Sequence, residues 1–216
     1  MIIVNFKTYL QTSGENALKM ARICYEAAKQ SGVKIIIGVQ STDIYRITSQ
    51  VDIPVFAQHL DPIEPGRNTG FISAFSLKNA GAVGVFLNHS EHPFSDFNTL
   101  EKSHQLAKKE GLETLIFVPQ IETAIRVDQF HPDYIALEEP SLVGKEAMIH
   151  FPKFKQMITD FCQKIKSIPL LGAGIRIKGD VNESLKLGIK GIAFSSQFVQ
   201  ATDPKQLLLS FAACFP

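Results

Sequence analysis

The feature that most restricts what this chain can fold into is a repeat. Short apolar runs rich in β-branched residues alternate from end to end with stretches whose apolar residues recur at helical spacing. Eight such runs can be counted, at residues 2–6, 34–39, 53–57, 83–87, 113–118, 133–137, 168–172 and 190–194. Most are apolar throughout, which fits strands buried on both faces of a parallel sheet whose crossovers are helices. Amphipathic segments lie near residues 15–30, 97–109, 153–166, 180–187 and 203–213, with weaker ones between the remaining runs. Ser13, Ser95 or Asp96, and the pair Asp203-Pro204 supply helix-start signals. Eight βα units without a linker predict an α/β chain folded as a single (β/α)8 barrel, one domain over residues 1–216, in preference to an open doubly wound sheet. Residues 58–72 and 139–149 read as neither helix nor strand, and long loops in a tight fold tend to carry function.

Charge narrows the partners. The 22 basic and 21 acidic residues nearly cancel, so no basic field exists to hold nucleic acid or an anionic membrane. An anionic ligand must then be held locally, by backbone N–H groups and helix starts. Cys24, Cys162 and Cys214 form no CxxC pair and fall in stretches that read as helix, so they are expected to be core fillers, with no metal site and no disulfide framework. The first apolar run, from Met1 to Phe6, is too short for a signal peptide and lacks a basic start, and the expected location is the cytoplasm.

In a barrel of this kind the reacting groups sit where strands end and βα loops begin. The runs end in Asn5-Phe6-Lys7, Asn88-His89-Ser90-Glu91, Glu138-Glu139-Pro140, Gly172-Ala173-Gly174 and Ser195-Ser196. Lys7 could hold a developing oxyanion, and Asn5, two residues earlier, is expected on the same strand face. His89 follows the apolar Gly84-Val85-Phe86-Leu87, at a mouth and not within a core. Glu138 follows Tyr134-Ile135-Ala136-Leu137 and reads as an unpaired carboxylate, a base strengthened by desolvation, with Glu139 turned to the loop. The small residues of the last two loops match a phosphate site. His104, His131 and His150 read as structural, and His59 is open to either reading.

Taken in order, Asn5-Phe6-Lys7, Ala57-Gln58-His59, Asn88-His89-Ser90-Glu91, Glu138 with its proline-bearing loop, and Gly172-Ala173-Gly174 resemble the triosephosphate isomerase family. The similarity spans essentially the whole chain and is strongest to its compact archaeal branch, through Phe56 to Ile63 with Thr69-Gly70. The resemblance implies interconversion of dihydroxyacetone phosphate and D-glyceraldehyde 3-phosphate through an enediolate, without a cofactor or metal. It implies that Asn5 and Lys7 bind substrate, His89 is the electrophile, Glu138 is the base, and Ser90 and Glu91 support them. Val143, Gly174, Ser195 and Ser196 would surround the phosphate. Residues 58–70 would interdigitate in a homo-oligomer, dimer or tetramer.

The chain departs from the family at Gly144-Lys145-Glu146, where a Gly-Thr-Gly hinge is expected, and at Glu139, Arg176, Lys178 and Gln197. Two other readings compete: a different reaction on a phosphate-binding barrel, which explains only the last two loops, and a degenerate barrel that binds a phosphate metabolite or partner without turnover, which the altered hinge suggests.

Overall fold

The computed structural model describes residues 1–140 and 151–216. Eight parallel strands close on themselves in sequence order: β1 (Ile2–Asn5), β2 (Ile35–Val39), β3 (Val55–Ala57), β4 (Gly84–Leu87), β5 (Glu113–Val118), β6 (Tyr134–Leu137), β7 (Ile168–Leu171) and β8 (Gly191–Phe194). The ring closes where Ile2, Ile3 and Val4 register with Ile192, Ala193 and Phe194. Outside it run α1 (Glu15–Ser31), α2 (Ser41–Thr48), α3 (Ala74–Asn79), α4 (Phe97–Lys109), α5 (Ile121–Asp128), α6 (Pro152–Lys164), α7 (Lys178–Lys186), the single-turn α8 (Ser196–Val199) and α9 (Pro204–Ala212). Each predicted run holds a strand, though β3 is only three residues long.

Strand alternation divides the apolar residues into two cores. Ile3, Ile36, Phe56, Phe86, Leu115, Phe117, Tyr134, Ala136, Leu170 and Ala193 point into the barrel, whereas Ile2, Val4, Ile35, Ile37, Val85, Leu87, Ile116 and Ile135 face the helices. Both faces of most strands are therefore buried, with β7 exposed at its start, which is why the runs show no polar alternation. The interior is occupied largely by rings: Phe86 packs edge-on to Phe117 at 5.4 Å between centroids and lies 6.0 Å from Phe56. Such rings fit because Gly38 and Gly84 face them; a Cβ on Gly38 would lie inside 3.0 Å of the Phe86 ring, and one on Gly84 inside 3.0 Å of Phe56.

Capping follows the sequence signals in part. Asp96 caps α4 by accepting from Thr99 N–H at 2.9 Å, and Asp203 caps α9 by accepting from Gln206 N–H at 3.0 Å, with Pro204 in its first turn. Ser13 does not cap α1. Gly14 holds that place with φ +59°, and its N–H donates to the Asp43 carboxylate of α2 at 3.0 Å. The cap is supplied across a helix pair, which no local pattern announces. Cys24 is fully buried as expected, whereas Cys162 and Cys214, the latter just beyond α9, are half-buried and pack against the edge of the core. Residues 58–72 form neither helix nor strand, as expected.

Candidate active site

The C-terminal mouth of the barrel gathers the residues that the sequence singled out. Asn5 ends β1, Glu138 directly follows β6, Gly172 follows β7 and Ser195 follows β8. Asn5, Lys7, His89, Glu138, Gly174, Ser195 and Ser196 all line one cleft, together with Phe117 and Gln197. The cleft continues past Asn5, Lys7 and His89 into a second hollow walled by Gln58, His59, Glu91 and His92.

Lys7 reaches the mouth by a different route from the one expected. It lies beyond the end of β1 with φ +49°, a left-handed conformation that a lysine seldom adopts, so it does not continue the strand alternation of Asn5. Side-chain hydrogen bonds hold the turn. Lys7 N–H donates to Asn5 Oδ1 at 3.0 Å, and Gln58 Nε2 donates to Asn5 Oδ1, Lys7 O and Gly38 O at 3.2, 3.0 and 3.1 Å. The Lys7 ammonium meets Glu91 Oε1 at 2.6 Å. Gln58 is thus the brace of the first loop, a role visible in the sequence only as its place one residue after a strand.

His89 is buried, and its ring stands edge-on to Phe117 with centroids 4.8 Å apart. Glu91 N–H donates to His89 Nδ1 at 3.1 Å, which fixes the tautomer: Nδ1 carries the lone pair and Nε2 the proton. Burial holds the imidazole below its ordinary pKa, and this outweighs the nearby Glu138 and Glu91 carboxylates, which favour the charged form. His89 is therefore neutral at pH 7. Its Nε2 lies 3.4 Å from both Glu138 Oε1 and Asn5 Nδ2. Since Asn5 Oδ1 already accepts two hydrogen bonds, its amide N–H and the His89 N–H are two donors 3.4 Å apart, close enough to share one acceptor oxygen.

Glu138 corrects the sequence reading. The carboxylate is not unpaired, because Ser90 N–H donates to Oε2 at 3.3 Å and His89 approaches Oε1. The loop after β4 reaches across β5 to meet it, a contact between positions 48 residues apart. Ser90 thus acts through its backbone and Glu91 through Lys7. At the other side of the cleft Gly174 takes φ +79°, and the Ser195 hydroxyl is buried with no partner among the described residues. Val143 and the Gly144-Lys145-Glu146 departure lie outside the described residues.

The remaining histidines separate. His104 is buried with Nδ1 at 3.2 Å from Thr114 Oγ1, a structural position. His59 stacks on His92 at 4.0 Å between centroids and approaches Asp61, at the foot of the 58–72 loop. Among the described residues no group of three or more His, Cys, Asp or Glu side chains is arranged to hold a metal ion, and no helix is long and apolar enough to cross a membrane.

Three comparisons bear on the site. The family model for triosephosphate isomerase matches residues 1–124. Curated triosephosphate isomerases of Methanobacterium bryantii and Methanobrevibacter smithii are 37% and 36% identical to the chain, covering 99% of it and 96% and 97% of their own lengths. The crystal structure of triosephosphate isomerase from Bartonella henselae superposes with a TM-score of 0.73 over 99% of this chain and 97% of that one, at 21% identity, a likeness of fold.

Proposed function

Because the chain belongs to the triosephosphate isomerase family and is an aldose–ketose isomerase of triose phosphates, we propose that Lys7, His89 and Glu138 carry its proton chemistry. Glu138 removes a proton from the carbon beside the substrate carbonyl. The negative charge that develops on oxygen is met by the Lys7 ammonium and the His89 Nε2–H, with Asn5 as a further donor. The hydroxyl proton passes from one oxygen of the enediolate to the other beside His89 Nε2, and Glu138 returns its proton to the neighbouring carbon, which turns dihydroxyacetone phosphate into D-glyceraldehyde 3-phosphate or the reverse. A neutral imidazole can serve here because its Nε2–H donates to an oxygen that gains charge only as the proton leaves carbon.

The observation that carries the reading is the convergence of Asn5 Nδ2 and Glu138 Oε1 on one histidine nitrogen, each at 3.4 Å, beside the lysine. Base, donors and cation thus surround one small volume. The phosphate would sit at the opposite end of the cleft, held largely by backbone N–H groups at Gly174, Ser195 and Ser196; Val143, which the resemblance adds to this set, lies outside the described residues. The decisive test is a coupled assay in both directions on the purified protein. Turnover should be present in the parent and nearly lost in Glu138→Ala. Absence of turnover in the parent would favour the degenerate-barrel reading, and an active Glu138→Ala would reassign the base.

Assembly into a homo-oligomer through residues 58–70 is part of the same proposal. Phe71, just past that loop, and Phe75, in the first turn of α3, are 58% and 50% exposed, an apolar surface that self-association would cover. Sedimentation showing only monomer at micromolar concentration would refute it. The substrate and three free cysteines fit a cytoplasmic location.

A further inference from the structure

We infer that Asn88 is a positioning residue for His89: its single amide closes the loop that presents the imidazole and so holds the ring in place. The inference rests on the reading of His89 as the electrophile. Asn88 has φ +58°, a backbone state open to glycine and, among other residues, most readily to asparagine and aspartate. Its side chain makes two hydrogen bonds to different parts of the barrel. Nδ2 donates to Phe117 O at 3.0 Å, at the end of β5, and Oδ1 accepts from Phe94 N–H at 3.1 Å, on the far side of the loop. The amide cannot be reversed, since a carbonyl can only accept and a backbone N–H can only donate.

The two bonds make a closed ring of residues 88–94, anchored to the strand whose Phe117 side chain packs against His89. Inside that ring lie the contacts on which the site depends. His92 N–H donates to His89 O at 2.8 Å, Glu91 N–H to His89 Nδ1 at 3.1 Å, and Ser90 N–H to Glu138 Oε2 at 3.3 Å. None of these is made by Asn88, but all require the backbone of residues 89–92 to keep its present turn. If the amide is removed, Phe94 and the loop are released from β5. The Glu91 N–H then loosens from Nδ1, and that hydrogen bond is one of the features favouring a neutral ring with its proton on Nε2.

The test uses Asn88→Gly, which keeps the left-handed backbone and deletes both bonds, and Asn88→Asp, which keeps the acceptor for Phe94 but sets a carboxylate against the Phe117 carbonyl. Thr48→Ala, which removes a 2.7 Å bond from α2 to Ala80 O far from the cleft, controls for a purely structural loss. Both Asn88 variants should lose kcat by about 10- to 100-fold with KM changed by less than about threefold. 15N NMR should show His89 titrating at higher pH than in the parent and in Thr48→Ala. In the double variant Asn88→Gly/His89→Gln, kcat should fall no further than in His89→Gln alone. Should Asn88→Gly not fold, Asn88→Asp still reads out the donor through kcat and KM, and its His89 titration, shifted by the added carboxylate itself, is set aside. A kcat within twofold of the parent, or a loss of kcat with unaltered His89 titration, overturns the inference while His89→Gln remains inactive. An active His89→Gln overturns the reading beneath it instead.

Discussion

Gly38→Ala adds one methyl group near the end of β2, and two opposing effects decide its sign. Reduced freedom of the unfolded chain favours alanine over glycine by about 0.4–1 kcal/mol where the backbone tolerates it, and Gly38 has no positive φ to forbid it. Against this, the new Cβ would lie inside 3.0 Å of Cε2 and Cζ of Phe86, a fully buried ring held by Phe56 and Phe117. To recover an ordinary carbon–carbon separation of about 3.5–4 Å the ring must retreat by more than about an ångström, and close-packed interiors charge about 1–3 kcal/mol for such crowding. The upper end applies, because the obstacle is a ring body and not the end of a flexible chain. The net loss is then about 2 kcal/mol, or roughly 4–8 °C in Tm for a chain of this size. Differential scanning calorimetry measures it directly. Activity should fall as well where Phe86 yields toward Phe117, which packs on His89. In the Gly38→Ala background, Phe86→Leu should cost less than it does alone, a coupling of about 0.5–3 kcal/mol in a double-mutant cycle. A Tm equal to or above that of the parent would mean that entropy prevails and that the ring packing is not tight.

Two further outcomes are expected. Burial depresses the pKa of His59, His89 and His104 below the ordinary 6.5, so in the window just below pH 6.5 the unfolded chain binds protons that the folded chain refuses. Stability should therefore fall as the pH drops through 6.5, with proton uptake on unfolding near pH 6 measurable by calorimetry in buffers of different ionisation enthalpy; a flat profile from pH 7 to 5.5 would contradict the burial argument. Lys7→Ala removes the ammonium beside the developing charge and should lower kcat/KM by about 10²–10³, read from the coupled assay, whereas a loss under tenfold would show that the charge is met elsewhere.

The barrel was legible because burial on both faces of a strand leaves a signature in single runs of residues, such as Ile35–Val39 or Tyr134–Leu137, that needs no knowledge of the neighbours. Caps formed within a few residues were legible for the same reason: Asp96 and Asp203 bond to groups three positions ahead. The start of α1 was not, since its cap comes from Asp43, 29 residues away. The family resemblance pointed to residues most of which line one cleft at the mouth, but the local argument for two of them failed on geometry. Lys7 leaves the strand pattern in a left-handed turn, and Glu138 gains a backbone donor from a loop two strands along.

The roles that stayed hidden belong to Gln58, Asn88 and Phe117, and they share a physical cause. Each acts on backbone or ring atoms brought near by barrel closure, at separations of 29 to 53 positions in the hydrogen bonds of Gln58 to Asn5 and Asn88 to Phe117. An amide side chain suits such work because it donates and accepts at once and carries no charge to disturb the titration of the group it steadies. The same physics explains why the charged groups at the mouth are few and paired through their neighbours, Lys7 with Glu91 and Glu138 with the Ser90 N–H. A neutral brace lets the field at the cleft be set by the reacting groups alone, so exchanging Gln58 or Asn88 for a carboxylate should disturb the chemistry beyond the loss of a hydrogen bond.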